Sequence, residues 1–160
     1  MSLFGKKKQS PLVALPGNLR PDLRDIIEKA PPGAATSMRR AEASAALREM
    51  NLRLPEHEQV TCMTHFVKIS VPDNSYGYLA MSSSTIYVTT CKVGLDTQVL
   101  AIKVTDVSRF TFDSGMAFLY FGSPEQRLDF AFPGAIEQSY SRTVCDEIQA
   151  ACKKPHPYQI

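Results

Sequence analysis

The chain has 160 residues, of which 44% are hydrophobic and 21% charged, a composition typical of one globular domain. No apolar run reaches the roughly 18 residues that a transmembrane helix needs, so a spanning segment is not expected. The net charge of +2 is unevenly placed: residues 1–57 carry ten Lys/Arg against six Asp/Glu, and residues 58–160 carry eight against ten. A nucleic-acid binder is expected to carry its basic surface on the folded domain, so this distribution argues against nucleic acid as a partner.

Residues 1–20 are predicted to form a flexible basic tail, because three lysines and two prolines leave little hydrophobic periodicity. The stretch lacks the apolar run of a signal peptide, which favours a cytoplasmic location. Two apolar residues beside the lysines suggest an alternative, weak attachment to an anionic membrane surface, with two later arginines adding charge. The residues of this alternative surface are Leu3, Phe4, Lys6, Lys7, Lys8, Arg39 and Arg40.

One or two short helices are predicted within residues 21–53. The first runs from Pro21 to Ala30, with proline in its first turn and a Pro-Pro-Gly sequence that ends it. The second begins at Thr36 or Ser37 as its cap and runs to Met50, with a narrow apolar stripe rich in alanine. Such a stripe fits closely against a sheet, so packing on the rest of the chain is preferred, and packing against a partner's helix is the alternative.

From residue 59 the hydrophobic period changes to two, which predicts β-strands separated by turn residues at close spacing. In one of these turns, Asp113-Ser114-Gly115, the glycine provides a positive φ. The seven predicted strands are Gln59–Val71, Tyr76–Met81, Thr85–Thr90, Gln98–Val104, Ser108–Phe112, Met116–Phe121 and Gln126–Phe132.

Pro133 and Gly134 end the last strand, and an amphipathic helix is predicted after them as far as Lys154, because apolar residues recur at every fourth position and need a surface to cover. These residues are Ile136, Tyr140, Val144 and Ile148. Pro155 ends the helix, and residues 155–160 form a C-terminal tail. The predicted fold is therefore α+β: a seven-stranded antiparallel β-barrel capped by a C-terminal α-helix, with one or two N-terminal helices.

Three stretches carry a family resemblance. Leu54-Pro55-Glu56 precedes the first strand, Tyr78–Met81 and Thr85–Val88 form the second hairpin, and Ala101–Val107 is the step that follows. Together they resemble the pleckstrin-homology (PH) superfold, in its GRAM and bacterial PH-like branches, over about residues 54–154. The resemblance implies a non-catalytic binding or scaffold module that docks a protein or peptide. The alternatives are membrane attachment through the basic N-terminal segment and self-assembly through an exposed strand edge.

The resemblance implies a partner-binding groove between the second hairpin and the C-terminal helix. Candidate contact residues, beside this groove and the first hairpin turn, are Asn74, Tyr76 and Tyr78. Tyrosines beside a turn are typical of protein interfaces, although lining the barrel is the alternative role of both. PH domains that bind phosphoinositides carry several basic residues in the first hairpin. Here Asp73 lies in the turn and only Lys68 is nearby, which disfavours headgroup recognition.

No catalytic residue, cofactor or metal is predicted. His57, Cys62 and His65 come nearest to a metal site, but on a strand Cys62 and His65 point to opposite faces. The sequence contains no nucleotide-binding glycine motif and no nucleophile motif. Its four cysteines are expected to be buried free thiols in a reducing compartment.

Seven aromatic residues in the last three predicted strands are interpreted as barrel interior rather than as a base-stacking surface, because their alternation fits a closed barrel. These residues are Phe110, Phe112, Phe118, Tyr120, Phe121, Phe130 and Phe132. Arg109 and Arg127 are the only basic residues interleaved with them.

Overall fold

The computed structural model describes residues 12–40, 43–70, 73–92, 97–113, 115–132 and 135–153. Three short helices come first, seven antiparallel strands follow, and a long helix ends the described chain. The helices are α1 Pro21–Lys29, α2 Pro32–Met38, α3 Ser44–Arg53 and α4 Ala135–Lys153. The strands are β1 Cys62–Ser70, β2 Asp73–Met81, β3 Thr85–Lys92, β4 Gln98–Lys103, β5 Val107–Asp113, β6 Met116–Phe121 and β7 Gln126–Ala131. A 3₁₀ turn, Val104–Asp106, joins β4 to β5.

The predicted second helix is divided into α2 and α3. Helix α2 begins at Pro32, inside the sequence predicted only to end the first helix, because proline in a first turn loses no hydrogen bond. After α2 the chain leaves the helix at Arg39, whose carbonyl accepts a hydrogen bond from the Val13 amide at 2.9 Å. Leu12 and Arg40 form a β-bridge beside it. Residues placed in a tail by their sequence thus pair with the chain and interrupt the predicted helix.

The strands follow the order β4-β3-β2-β1-β7-β6-β5, and neighbouring strands are antiparallel. Seven antiparallel strands and a C-terminal helix are therefore confirmed. Among the described residues a single register pair, Val67 with Ala131, joins β1 to β7, so a four-stranded sheet (β1–β4) and a three-stranded sheet (β5–β7) can be distinguished. The predicted closure into a barrel is wrong, because no described residue pairs β4 with β5. The 3₁₀ turn changes the direction of the chain between β4 and β5, and the side chain of Val104 in this turn is buried.

The inner faces of the two sheets and one face of α4 enclose a hydrophobic core. Phe66 and Leu79 enter it from the four-stranded sheet, Phe130 from the three-stranded sheet, and Val144 and Ile148 from α4. The Phe66 and Phe130 rings meet edge to face, with centroids 4.9 Å apart. The C-terminal helix thus covers the apolar surface of the strands, as its periodicity predicts.

A second hydrophobic cluster covers the outer face of the four-stranded sheet. Because side chains alternate along a strand, Met63 and Tyr78 point away from the inner core and towards α1–α3. Leu23 of α1 and Leu47 of α3 are buried in this cluster. The N-terminal helices therefore pack on the rest of the chain, and the middle of β1, β2 and β3 is buried on both faces.

Glu58 fixes the turn between β2 and β3 to the segment that precedes β1. Its Oε1 atom accepts hydrogen bonds from the Ser84 hydroxyl at 2.9 Å and from the Ser82 and Thr85 hydroxyls at 3.1 Å. Desolvation by itself raises the pKa of Glu58, but these three hydrogen bonds and the nearby His57 outweigh it. The pKa of Glu58 is therefore lowered from its ordinary value of 4.5.

We expect Glu58→Gln to lower the free energy of unfolding by about 1 kcal/mol at neutral pH, because a neutral amide accepts weaker hydrogen bonds than a carboxylate. Since the folded-state pKa of Glu58 is lowered, its charge contributes fully above the ordinary pKa, and this contribution is lost as the pH falls through the folded-state value. Urea denaturation at neutral and acidic pH measures the effect, which should shrink in acid. Glu56→Gln, at an exposed carboxylate nearby, is the control. Equal losses in both variants would contradict the anchoring role of Glu58.

Candidate functional site

The predicted partner contacts lie on β2, and the structure corrects one of them. Tyr78 is fully buried, and its hydroxyl donates a hydrogen bond to the Met38 carbonyl of α2, so a partner cannot reach it while the helices stay packed. Tyr76 lies on the same face of β2 and is half-buried. Asn74 pairs with Ile69 in the first hairpin, and its side chain is outside the described part. At Tyr78 the expected contact surface is covered because the N-terminal helices pack on this sheet.

Most residues of the alternative membrane surface fall outside the part of the chain that the structure describes. These residues are Leu3, Phe4, Lys6, Lys7 and Lys8. The two arginines of that surface are described, and both are half-buried. The Arg39 Nε atom donates a hydrogen bond to the Val13 carbonyl at 3.2 Å, and Arg40 pairs with Leu12. Among the described helices, none combines the length and the hydropathy of a membrane span.

The cysteines and histidines are separated as strand alternation predicts. Cys62 lies in the inner core, whereas the Nδ1 atom of His65 is 2.8 Å from the Ser37 hydroxyl of α2 on the outer side. Within the described ranges, no three His, Cys, Asp or Glu side chains are placed to share a metal ion. Burial raises the pKa of Cys62 to about 12 and that of Cys152 to about 11. Both thiols are therefore protonated at neutral pH and poor nucleophiles.

A cavity of about 520 Å³ opens beside Arg20 and Asp22 at the start of α1. The Arg20 guanidinium donates to the two carboxylate oxygens of Asp22 at 3.1 and 3.0 Å, and to the Pro55 carbonyl at 3.1 Å. The same carboxylate accepts the Val60 amide at 2.9 Å. These groups form hydrogen bonds with one another and connect α1 to the segment before β1. We therefore assign them a structural role.

Arginine and aromatic side chains share the outer face of the three-stranded sheet. Arg109 of β5, Tyr120 of β6 and Arg127 of β7 are neighbours across the strands. The guanidinium carbon of Arg109 lies 4.0 Å from the centroid of the Tyr120 ring, in cation–π geometry. Phe118 lies on the same face, with its ring centroid 5.6 Å from the guanidinium carbon of Arg127. We call these four residues the arginine–aromatic face.

Acidic side chains balance the charge of the arginine–aromatic face. The Arg127 Nε atom lies 2.9 Å from an Asp129 carboxylate oxygen, and Asp113 lies on the same side of β5 as Arg109. Interaction with the Tyr120 hydroxyl and the charge of Asp129 raise the pKa of Arg127, which therefore stays protonated. Both arginines are exposed and both aromatic rings are half-buried. The face offers guanidinium groups and π surface to solvent.

The structure divides the seven aromatic residues that the sequence places inside. Five of them belong to the inner core or pack against it: Phe110, Phe112, Phe121, Phe130 and Phe132. Phe118 and Tyr120 point outward, so the interior interpretation is wrong for these two. Every position of Met116–Phe121 is apolar or aromatic, and alternation therefore cannot tell its two faces apart. The outward face of this strand is identified instead by strand pairing, which places Arg109 and Arg127 on either side of Tyr120.

Comparison with known proteins assigns no family, since no protein-family model and no curated protein matches the chain. One similar solved structure is the complex of the PDZ-RhoGEF DH/PH domains with GTP-gamma-S activated RhoA, at 14% identity and a TM-score of 0.49. That match covers 82% of this chain and 38% of the other. A mutant of the p115-RhoGEF DH/PH domains is similar at 9% identity and a TM-score of 0.46, over 83% of this chain and 41% of the other. The chain thus spans about two fifths of the length of the solved chains it matches.

Proposed function

We propose that this chain is a non-catalytic, PH-like binding module that docks a protein partner through the arginine–aromatic face. The observation that carries the proposal is the stacking of Arg109 on Tyr120, on a sheet face that no described element covers. The four-stranded sheet differs, since α1–α3 cover its outer face. Of the two outer sheet faces, the one on β5–β7 is thus open to a partner.

The composition of the arginine–aromatic face favours a protein over a polyanion. Arginine and tyrosine, together with tryptophan, are enriched among the residues that carry the binding energy of protein interfaces. Arg109 is already held against the Tyr120 ring, so less side-chain freedom is lost when a partner binds. Asp113 and Asp129 offset the positive charge, whereas phosphoinositides and nucleic acids require an excess of cations.

Tyr120→Ala should weaken partner capture roughly thirty-fold, or about 2 kcal/mol, because it removes both an aromatic contact and the support of Arg109. Arg109→Ala should act in the same direction with a smaller effect. The measurement immobilises the full chain at matched density and quantifies the proteins captured from a lysate of the native host by mass spectrometry. Partners of interest are those bound by the wild type and lost from Tyr120→Ala.

Tyr76→Ala and Arg142→Ala are the matched controls, at a half-buried tyrosine of the other sheet and an exposed arginine of α4. Both should capture partners as the wild type does, and thermal denaturation verifies that all variants are folded. If only Tyr76→Ala lost partner capture, the binding site would be assigned to β2 and not to the arginine–aromatic face. Flotation with anionic vesicles that fades as salt is raised would support the membrane alternative instead.

Three finer assignments rest on the sequence and remain predictions within this proposal. They are the GRAM or bacterial PH-like branch, a cytoplasmic location with the alternative of membrane association, and the division into a helical segment at residues 21–53 and a domain at residues 54–154.

A further inference from the structure

The outer edge of β4 lacks the usual protection of an edge strand. Within the described residues β4 pairs only with β3. From Gln98 to Ile102 the strand carries no charge, no proline and no irregularity of register. An open edge of this kind presents unpaired backbone groups to any second strand, and proteins that stay monomeric usually disrupt it.

Strand β5, at the opposite end of the strand order, is an edge strand that is protected. Strand β5 has a shift of register between Val107 and Arg109, and it carries charge at Arg109 and Asp113. In addition, the Gln149 side chain of α4 donates a hydrogen bond to the Phe110 carbonyl at 3.0 Å. A bulge, charged residues and a covering helix thus protect β5. Strand β4 has no such bulge, and its charge is confined to Lys103 at its end, although α3 packs beside the strand.

Leu100 adds an uncovered apolar group to this edge. It lies opposite Val88 and two residues before Ile102, both of which are buried in the inner core, so its side chain lies on the core-facing side of β4. Leu100 is nevertheless 41% exposed, whereas Ile102 is 4% exposed. No described strand continues the sheet beyond β4, so the outer side of Leu100 has no neighbouring strand.

We propose that β4 pairs antiparallel with β4 of a second copy of the chain, around a two-fold axis that passes beside Leu100. An axis perpendicular to the sheet keeps equivalent faces on the same side, so the two Leu100 side chains cover each other. Val99 then lies opposite the second copy's Ala101, and Gln98 opposite the second copy's Ile102. The one charged residue of the strand, Lys103, lies opposite Thr97.

Self-complementarity is the reason to choose a second copy as the occupant. In this register every residue of β4 meets an uncharged residue, so no like charges oppose each other. The pairing also satisfies the open backbone groups of both chains in one step. It does not involve the arginine–aromatic face, which lies on the other sheet, so it holds or fails independently of the proposed function.

Leu100→Lys should weaken the dimer at least about ten-fold, because it places two like charges opposite each other at the axis. Size-exclusion chromatography with light scattering, over a range of concentrations of the full chain, measures the dissociation constant. Leu52→Lys is the matched control, since Leu52 of α3 is 72% exposed and lies outside the sheet. It should dimerise as the wild type does. A wild type that stays monomeric at its highest attainable concentration, or a dimer unchanged by Leu100→Lys, overturns the proposal.

Cross-linking tests the register and does not depend on how well Leu100→Lys folds. Leu100→Cys should give a covalent homodimer with a short bismaleimide, above the background of the native cysteines in the wild type. Gln98→Cys should not, because the two copies of position 98 lie four residues apart along the strands, roughly 14 Å at 3.4 Å per residue. Cross-linking of Gln98→Cys in place of Leu100→Cys rules this pairing out.

Discussion

Replacing Asp22 with alanine is expected to lower the free energy of unfolding by about 3–5 kcal/mol, the range found when one partner of a buried ion pair is removed. The side chains of Arg20 and Asp22 are 16% and 4% exposed. Without the carboxylate, the Arg20 guanidinium stays largely buried without its counter-charge, and the Val60 amide loses its acceptor. The Pro55 and Glu58 carbonyls still accept from Arg20, which keeps the loss within this range. Urea denaturation at neutral pH measures it.

Asp25→Ala on the same helix is the matched control. Asp25 also forms an ion pair, with Lys29 at 3.0 Å, but these side chains are 58% and 76% exposed, so its removal should change stability by less than about 1 kcal/mol. Asp22→Asn should recover little, because its amide group would present N–H donors to the donors of Arg20. Equal losses in Asp22→Ala and Asp25→Ala would show that the buried pair does not anchor α1.

Local patterns predicted the elements that depend on local chemistry. Met116–Phe121 is observed with its predicted bounds, and Gly115 has the expected positive φ of 80°. The C-terminal helix differs from its prediction only at the ends. These elements are set by side-chain alternation, turn residues and helical periodicity, all of which can be read within a short window of sequence.

Features that depend on contacts distant in sequence could not be predicted in the same way. Where α2 ends, Val13 pairs with Arg39, 26 residues later. The burial of Tyr78 depends on α2, which a tyrosine beside a turn does not reveal. The arginine–aromatic face exists only because β5 and β7 flank β6 in a particular register. None of these three features can be predicted from a local sequence pattern, because each depends on which distant segments of the chain are in contact.

The two proposed surfaces lie on different sheets and are compatible. A dimer formed through β4 carries two arginine–aromatic faces, one on each three-stranded sheet. A partner with two copies of the matching surface would then bind the second site at a raised effective concentration. Leu100→Lys should therefore weaken capture of an oligomeric partner and leave capture of a monomeric one unchanged.

Replacing Gly77 with alanine is expected to destabilise the chain by about 3 kcal/mol or more, because the added methyl group has no room. A Cβ atom at this position would lie 1.7 Å from the Thr89 carbonyl oxygen and 2.9 Å from Cζ of Phe66. The carbonyl belongs to β3 and cannot move without separating β3 from β2. The Phe66 ring is held edge to face against Phe130. The glycine between the two tyrosines thus allows close approach of the strands. Thermal and urea denaturation measure the loss.

Gly17→Ala is the matched control, because apart from Gly17 and its two chain neighbours no heavy atom lies within 4 Å of the Cβ position there. The same chemical change should alter stability at Gly17 by less than about 1 kcal/mol, and it should stabilise slightly if the backbone suits alanine. A destabilisation at Gly77 that includes loss of the β2–β3 amide protection in hydrogen exchange would locate the strain in this strand pair. A Gly77→Ala variant as stable as the wild type would mean that β2 and β3 lie further apart than this structure places them.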